Sequence, residues 1–144
     1  MKMEFHRGRL FDHVHLRVKD LDVSTRFYRA VLASLGRELL EMAPGMFFSD
    51  ELCITPSDGV VSHVHLAFQT NGREDVERFY EAAMGAGGRD NGKPGERPYH
   101  PGYYGAFVLD PDGNNIEAVY HGPADRSAPS VVLTAEVPPP ARHP

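Results

Sequence analysis

FDHVHLRV, residues Phe11–Val18, is answered later in the chain by SHVHLAF, residues Ser62–Phe68. His13 is thereby echoed by His63, and His15 by His65. The echo runs on downstream, where Arg26-Phe27-Tyr28-Arg29-Ala30 meets its counterpart in Arg78-Phe79-Tyr80-Glu81-Ala82. An internal repeat spanning roughly half the chain outranks any single residue as a guide to architecture. Within Phe11–Val18 the pattern alternates: His13, His15 and Arg17 fall on one face, Val14, Leu16 and Val18 on the other. That is the signature of a strand with one apolar side.

Working outward, Asp20 is a helix N-cap, and Val23, Phe27, Val31 and Leu35 recur at helical spacing until Gly36. Three short strands are expected next, at Arg37–Met42, Gly45–Phe48 and Leu52–Thr55, before the turn Pro56-Ser57-Asp58-Gly59. The second half repeats the plan. Val61–Phe68 reads as a strand, and Asn71 as a cap with Glu74 three residues on. Val76, Phe79, Tyr80 and Ala83 form a helical stripe that ends at Gly85–Gly88. Asn91–Gly102 is rich enough in Gly and Pro to read as a surface loop. Tyr103–Leu109 and Asn114–Tyr120 then form a hairpin about the turn Asp110-Pro111-Asp112-Gly113. The plan is βαβββ, twice.

The fold class expected is therefore α+β: two βαβββ repeats forming a cupped mixed sheet, a half-barrel with helices on its convex face. Residues 1–10 are a lead-in, 11–58 and 61–121 the two repeats, and 122–144 a Pro-rich tail, peripheral apart from a strand at Val131–Thr134. The 144 residues fit one domain by the usual range of about 100–200. A net charge of −5 without a Lys/Arg run argues against nucleic acid or an anionic membrane as partner. One cysteine, Cys53, allows no internal disulfide and no thiolate zinc cluster. With no apolar leader and no run of about 18 apolar residues, a cytoplasmic protein is expected.

The apolar faces of both first strands must lie under the helices, which leaves the histidines on the concave face. Glu117 joins them, because Ile116 and Ala118 share one face of the last strand and Glu117 points to the other. A lone carboxylate between apolar neighbours calls for a cation. Two imidazoles and a carboxylate suit a divalent first-row metal with open positions for substrate. His100, Tyr103 and Tyr104 lie where the loop meets the penultimate strand and are candidates to cover the cavity mouth, and Arg17 is a candidate anion binder. His121 and His143 read as surface residues. An HxH pair also occurs in cupins, but a cupin has a glutamate soon after the second histidine, where this chain has Lys19 and Gln69.

DHVHLRVKDLDVSTRFYRAVLASLG and YYGAFVLDPDGNNIEAVY together resemble the opening βα unit and closing hairpin of the vicinal oxygen chelate superfamily. That superfamily includes glyoxalase I, bleomycin-resistance proteins and extradiol dioxygenases, and the likeness covers about residues 11–121. The resemblance implies a metal (Fe, Mn, Zn, Ni or Co) held by His13, His63 and Glu117, and pairing of chains as homodimers. It also implies lyase, isomerase or dioxygenase chemistry on a small molecule with vicinal oxygens. His65, His100 and Tyr104 are the candidate acid–base groups, and His15, Arg17, Cys53 and Tyr103 the candidate substrate contacts. Glyoxalase-like relatives take a fourth ligand from the first repeat. Laying Leu52-Cys53-Ile54 over Ile116-Glu117-Ala118 puts Cys53 there, with Glu51 two residues earlier on the same face. Phe107 stands about where extradiol dioxygenases keep an acid–base tyrosine. The alternative implied is a non-catalytic, drug-sequestering protein.

Overall fold

Alternation in the first strand becomes burial in the folded chain. The computed structural model of the chain describes residues 2–7, 9–125 and 130–136. Its elements run β1 (Lys2–Arg7), β2 (Val14–Val18), α1 (Leu21–Ser34), β3 (Leu40–Ala43), β4 (Met46–Ser49), β5 (Leu52–Pro56), β6 (His65–Gln69), α2 (Arg73–Gly85), β7 (Arg89–Glu96), β8 (Tyr104–Leu109), β9 (Asn115–Tyr120) and β10 (Val131–Glu136). In β2, Leu16 and Val18 are fully buried while His15 and Arg17 are exposed.

The two repeats build two four-stranded mixed sheets of the same order, β3-β4-β5-β2 and β7-β8-β9-β6. In each, the first strand runs parallel to the last, as a helical crossover requires. This is the α+β pair of βαβββ units, open rather than closed into a barrel. Asp20 caps α1 by accepting from Val23 N at 3.1 Å, as expected. The cap of α2 differs: Gly72 occupies the position, and Asp75 Oδ2, not Glu74, reaches back to the Asn71 backbone N–H at 3.0 Å. Phe27 and Phe79, the matched aromatics of the repeat, are both 0% exposed between the helices and sheets. Each contributes about 1.5–3 kcal/mol by burial.

Two segments depart from the sequence reading. The stretch expected to be a loop from Asn91 is strand β7 as far as Glu96. It is an edge strand paired only with β8, and its register shifts between Asp90 and Gly92 and again between Gly92 and Gly95. An edge strand tolerates glycine bulges and a proline that an inner strand would not. The lead-in, unassigned by pattern, forms β1, which pairs antiparallel with β10 from Lys2↔Glu136 to Arg7↔Val131. The strand expected at Val131–Thr134 is thus present and longer. Residues 126–129 and 137–144, including the rest of the tail and His143, lie outside the described residues.

A buried polar knot joins the halves. Asp110 and Asn114 are each 1% exposed in the β8–β9 turn. Asp110 Oδ1 accepts from the backbone N–H of Asp112 at 2.9 Å and of Asn114 at 2.8 Å. Its Oδ2 accepts from Tyr28 of α1 at 2.5 Å and from Asn114 Nδ2 at 3.0 Å. Asn114 Oδ1 in turn accepts from Val64 N at 2.7 Å, just before β6. The outer edge of β2 is tied to the same approach, since Arg17 N donates to Ser62 Oγ and Ser62 N to Arg17 O, both at 2.9 Å.

Tyr28→Phe leaves buried Asp110 one donor short, and the expected loss in urea unfolding is about 1–3 kcal/mol. A loss too small to measure would show the bond to be idle. Burial, then the charge of Asp110, holds the Tyr28 phenol well above its ordinary value. The folded chain therefore keeps a proton that the unfolded chain gives up near pH 10. Stability is fully present below about pH 10 and falls as pH rises beyond it. Tyr28→Phe should flatten that alkaline decline.

Candidate functional site

Glu117 is 2% exposed on β9, with Ile116 and Ala118 turned into the core on either side. Its Oε1 lies 2.8 Å from His65 Nε2, and its Oε2 accepts from the Tyr103 hydroxyl. Register explains the meeting. β6 pairs with β9 so that His65 opposes Asn115 and Ala67 opposes Glu117, placing His65 one pleat away on the same face. Gly105, on the neighbouring β8, leaves room: a Cβ there would stand 3.2 Å from both Glu117 Oε2 and the Tyr103 ring. Burial first, then the hydrogen bond and charge of Glu117, raise the Tyr103 phenol well above its ordinary value. It therefore donates to the carboxylate across the neutral pH range.

The first repeat holds a weaker copy of this contact. His15 Nε2 is 2.6 Å from Thr55 Oγ1, and His15 opposes Cys53 while Arg17 opposes Thr55. Matching the registers sets Cys53 against Asn115 and Thr55 against Glu117. The counterpart of the carboxylate is thus a hydroxyl, and the alignment of Cys53 with Glu117 is two residues out of step. Apolar residues decide the step, since Ile54 opposes Leu16 as Ile116 opposes Leu66.

Other candidates are scattered. His13 precedes β2, 59% exposed, with Nδ1 2.7 Å from Asp12 Oδ1. His63 is exposed on the approach to β6, two residues before His65. Cys53 is half-buried, and Arg17 pairs with Asp58 at 3.3 Å on the surface. Tyr104 is removed from the acid–base set by strand alternation. It points to the helix side, donating to Glu77 of α2 at 2.9 Å with Arg73 over its ring. Among the described residues, no three His, Cys, Asp or Glu side chains converge.

His100 reaches the site's rim, where it meets His121, exposed as its surface reading expects. His121 Nδ1 is 2.8 Å from His100 Nε2, the rings stacking at 5.0 Å. His100 Nδ1 also lies 2.8 Å from the Pro101 carbonyl, which can only accept. In the neutral pair the proton is on that Nδ1, and His121 donates into Nε2. The Tyr103 ring stands edge-on to both imidazoles, at 5.4 and 5.2 Å. Counting by twos from Glu117 puts His121 on the concave face, a signal the sequence did carry.

The arrangement has relatives. The sequence pattern of the Glyoxalase/Bleomycin resistance protein/Dioxygenase superfamily matches residues 10–118. The chain belongs to that superfamily. A glyoxalase/bleomycin resistance protein from Albidiferax ferrireducens is 32% identical, aligned over 76% of this chain and 98% of its own, with a TM-score of 0.67. A glyoxalase-related enzyme from Fulvimarina pelagi is 20% identical over 88% of this chain and 98% of its own, with a TM-score of 0.66. A lactoylglutathione lyase from Agrobacterium tumefaciens is 20% identical over 78% and 93%, with a TM-score of 0.58. The last two share the fold. No curated protein matches the chain.

In the metal-free protein, Glu117→Gln should move the Tyr103 ionisation part of the way back towards an ordinary phenol. Alkaline titration of tyrosine-labelled protein by NMR reads this directly. An unmoved Tyr103 resonance would show that burial alone holds the phenol protonated.

Proposed function

We propose that this chain is a divalent-metal-dependent enzyme of its superfamily, acting on a small molecule with adjacent oxygens. The observation that carries the reading is Glu117, buried on a strand with one oxygen against His65 Nε2 at 2.8 Å and the other held by Tyr103. Two donors on one ion stand about 3 Å apart when each is about 2.0–2.2 Å from it, so this pair fits such an ion. Imidazole and carboxylate together suit Fe, Mn, Zn, Ni or Co. His63, on the approach to β6 two residues before His65, and His13, just before β2 in the first repeat, are the remaining donors. His65 is 52% exposed on an open concave face, which supports completion of the set in a homodimer.

A bound ion would supply charge to polarise two neighbouring substrate oxygens. The chain's own residues do the rest. Tyr103 fixes the orientation of Glu117, as an outer hydrogen bond does for a ligand carboxylate. Phe107, 8% exposed and 5.9 Å from the His65 ring, forms an apolar wall beside the reacting oxygens. The His100–His121 pair sits at the rim, where the ring nitrogen left over in the neutral pair, His121 Nε2, offers a proton acceptor.

Protein dialysed against Mn or Zn under reducing, anaerobic conditions should hold about one ion per chain. Glu117→Gln and His65→Ala should each bring that well below half, and His15→Ala should leave it unchanged. Wild-type content in His65→Ala with loss in His63→Ala would move the ligand role to His63. No retained metal in the wild type would favour the sequestering relatives. Oxygen uptake with catechols, against turnover of hemithioacetals without it, chooses between dioxygenase and lyase chemistry.

A further inference from the structure

Beside the candidate metal pair lies a cavity of about 270 Å³, lined by Asn91, Gly92, Arg97, Tyr99, Phe107 and Asn115. It shares its walls with the site. Phe107 opposes Glu117 in the β8–β9 ladder and faces His65, Asn115 opposes His65, and Tyr99 packs edge-on to Tyr103 at 4.9 Å. Arg97 is the cation in this wall. Its guanidinium lies 5.4 Å over the Phe107 ring, and Nη2 donates to the Lys93 carbonyl at 2.6 Å, Nη1 to the Glu96 carbonyl at 3.3 Å.

Those carbonyls fix the fork without neutralising it. Arg17, Arg37, Arg73 and Arg78 each face a carboxylate, whereas the described residues give Arg97 none. A guanidinium offers five donors in a planar fork that matches a carboxylate. Gly92 belongs to the same design, since a Cβ there would stand 3.0 Å from the Phe107 ring and 3.2 Å from Arg97 Nη2. The amides of Asn91 and Asn115, joined at 3.1 Å, supply neutral polar groups on another side of the cavity.

We infer that this cavity is the anchoring subsite for a small aromatic carboxylate, with Arg97 taking the carboxylate and Phe107 and Tyr99 flanking the ring. The inference rests on the proposed function only for which end of the substrate faces Glu117 and His65. The hollow is open and small, about 270 Å³ against the roughly 300–1,000 Å³ of drug-sized pockets, which suits a single anchored ring.

The test is calorimetric titration of the metal-free protein with benzoate, benzamide and phenyl phosphate. Benzoate should bind saturably, about tenfold or more tighter than benzamide, because only the anion makes the charge-assisted fork. Arg97→Gln should remove about that same factor for benzoate and leave benzamide unchanged, while Arg97→Lys keeps part of it. Benzoate should also shift the side-chain amide resonances of Asn91 and Asn115 in the wild type, a readout that stands if Arg97→Gln fails to fold. Equal affinity for benzoate and benzamide, no saturable benzoate binding, or an unaffected folded Arg97→Gln protein would overturn the inference. Phenyl phosphate binding more tightly than benzoate would overturn the carboxylate assignment. Metal content of Arg97→Gln should match wild type, and Glu117→Gln should keep its benzoate affinity within about twofold. A failed subsite and a failed metal centre are therefore told apart.

Discussion

The carboxylate of Asp110 is the interaction on which the rest of the structure hangs. Burying it without partners would cost several kcal/mol, yet it is 1% exposed and accepts from Asp112, Asn114 and Tyr28. Through Tyr28 it reaches α1 of the first repeat. Through Asn114 it reaches Val64, at the approach to β6 in the second. The β8–β9 turn and the start of β6 are thereby held in one register. That register sets His65 one pleat from Glu117. A knot on the core side thus fixes a pair of donors on the concave side.

Charge is handled differently on the two faces. On the helix side, Tyr104 is met by Glu77 and Arg73 at the surface. On the concave side, Glu117 has an imidazole and a phenol but no Lys or Arg partner among the described residues. Gly105 preserves the space in which Tyr103 reaches Oε2, leaving Oε1 to the imidazole of His65. Arg97 is the complement, a cation set in the adjoining wall with carbonyls in place of a carboxylate. Phe107 adjoins both groups: it opposes Glu117 in the β8–β9 ladder and lies under the Arg97 guanidinium, which meets no carboxylate among the described residues.

Much of this was legible in the chain. The doubled HVH motif and the matched Phe27 and Phe79 carried the repeat, and alternation around Ile116 carried the facing of Glu117. What escaped was set by long-range register. Local sequence does not show that Ile54 and Ile116 occupy equivalent rungs, which is why pattern alone aligns Cys53, and the folded register Thr55, with Glu117. The bulged edge strand β7 hid Arg97 and Asn91, because its glycines and proline read locally as a loop. The pairing of His100 with His121 depends on β8 and β9 closing their hairpin, which brings Tyr103 beside His121.

Anomalous diffraction from a Mn- or Zn-loaded crystal shows directly whether Glu117 and His65 share one ion. The expected peak is bonded to Glu117 Oε1 and His65 Nε2, at about 2.0–2.2 Å from each, with Tyr103 still holding Oε2. A loaded crystal whose only peaks lie elsewhere, with the Glu117–His65 hydrogen bond intact, would contradict it.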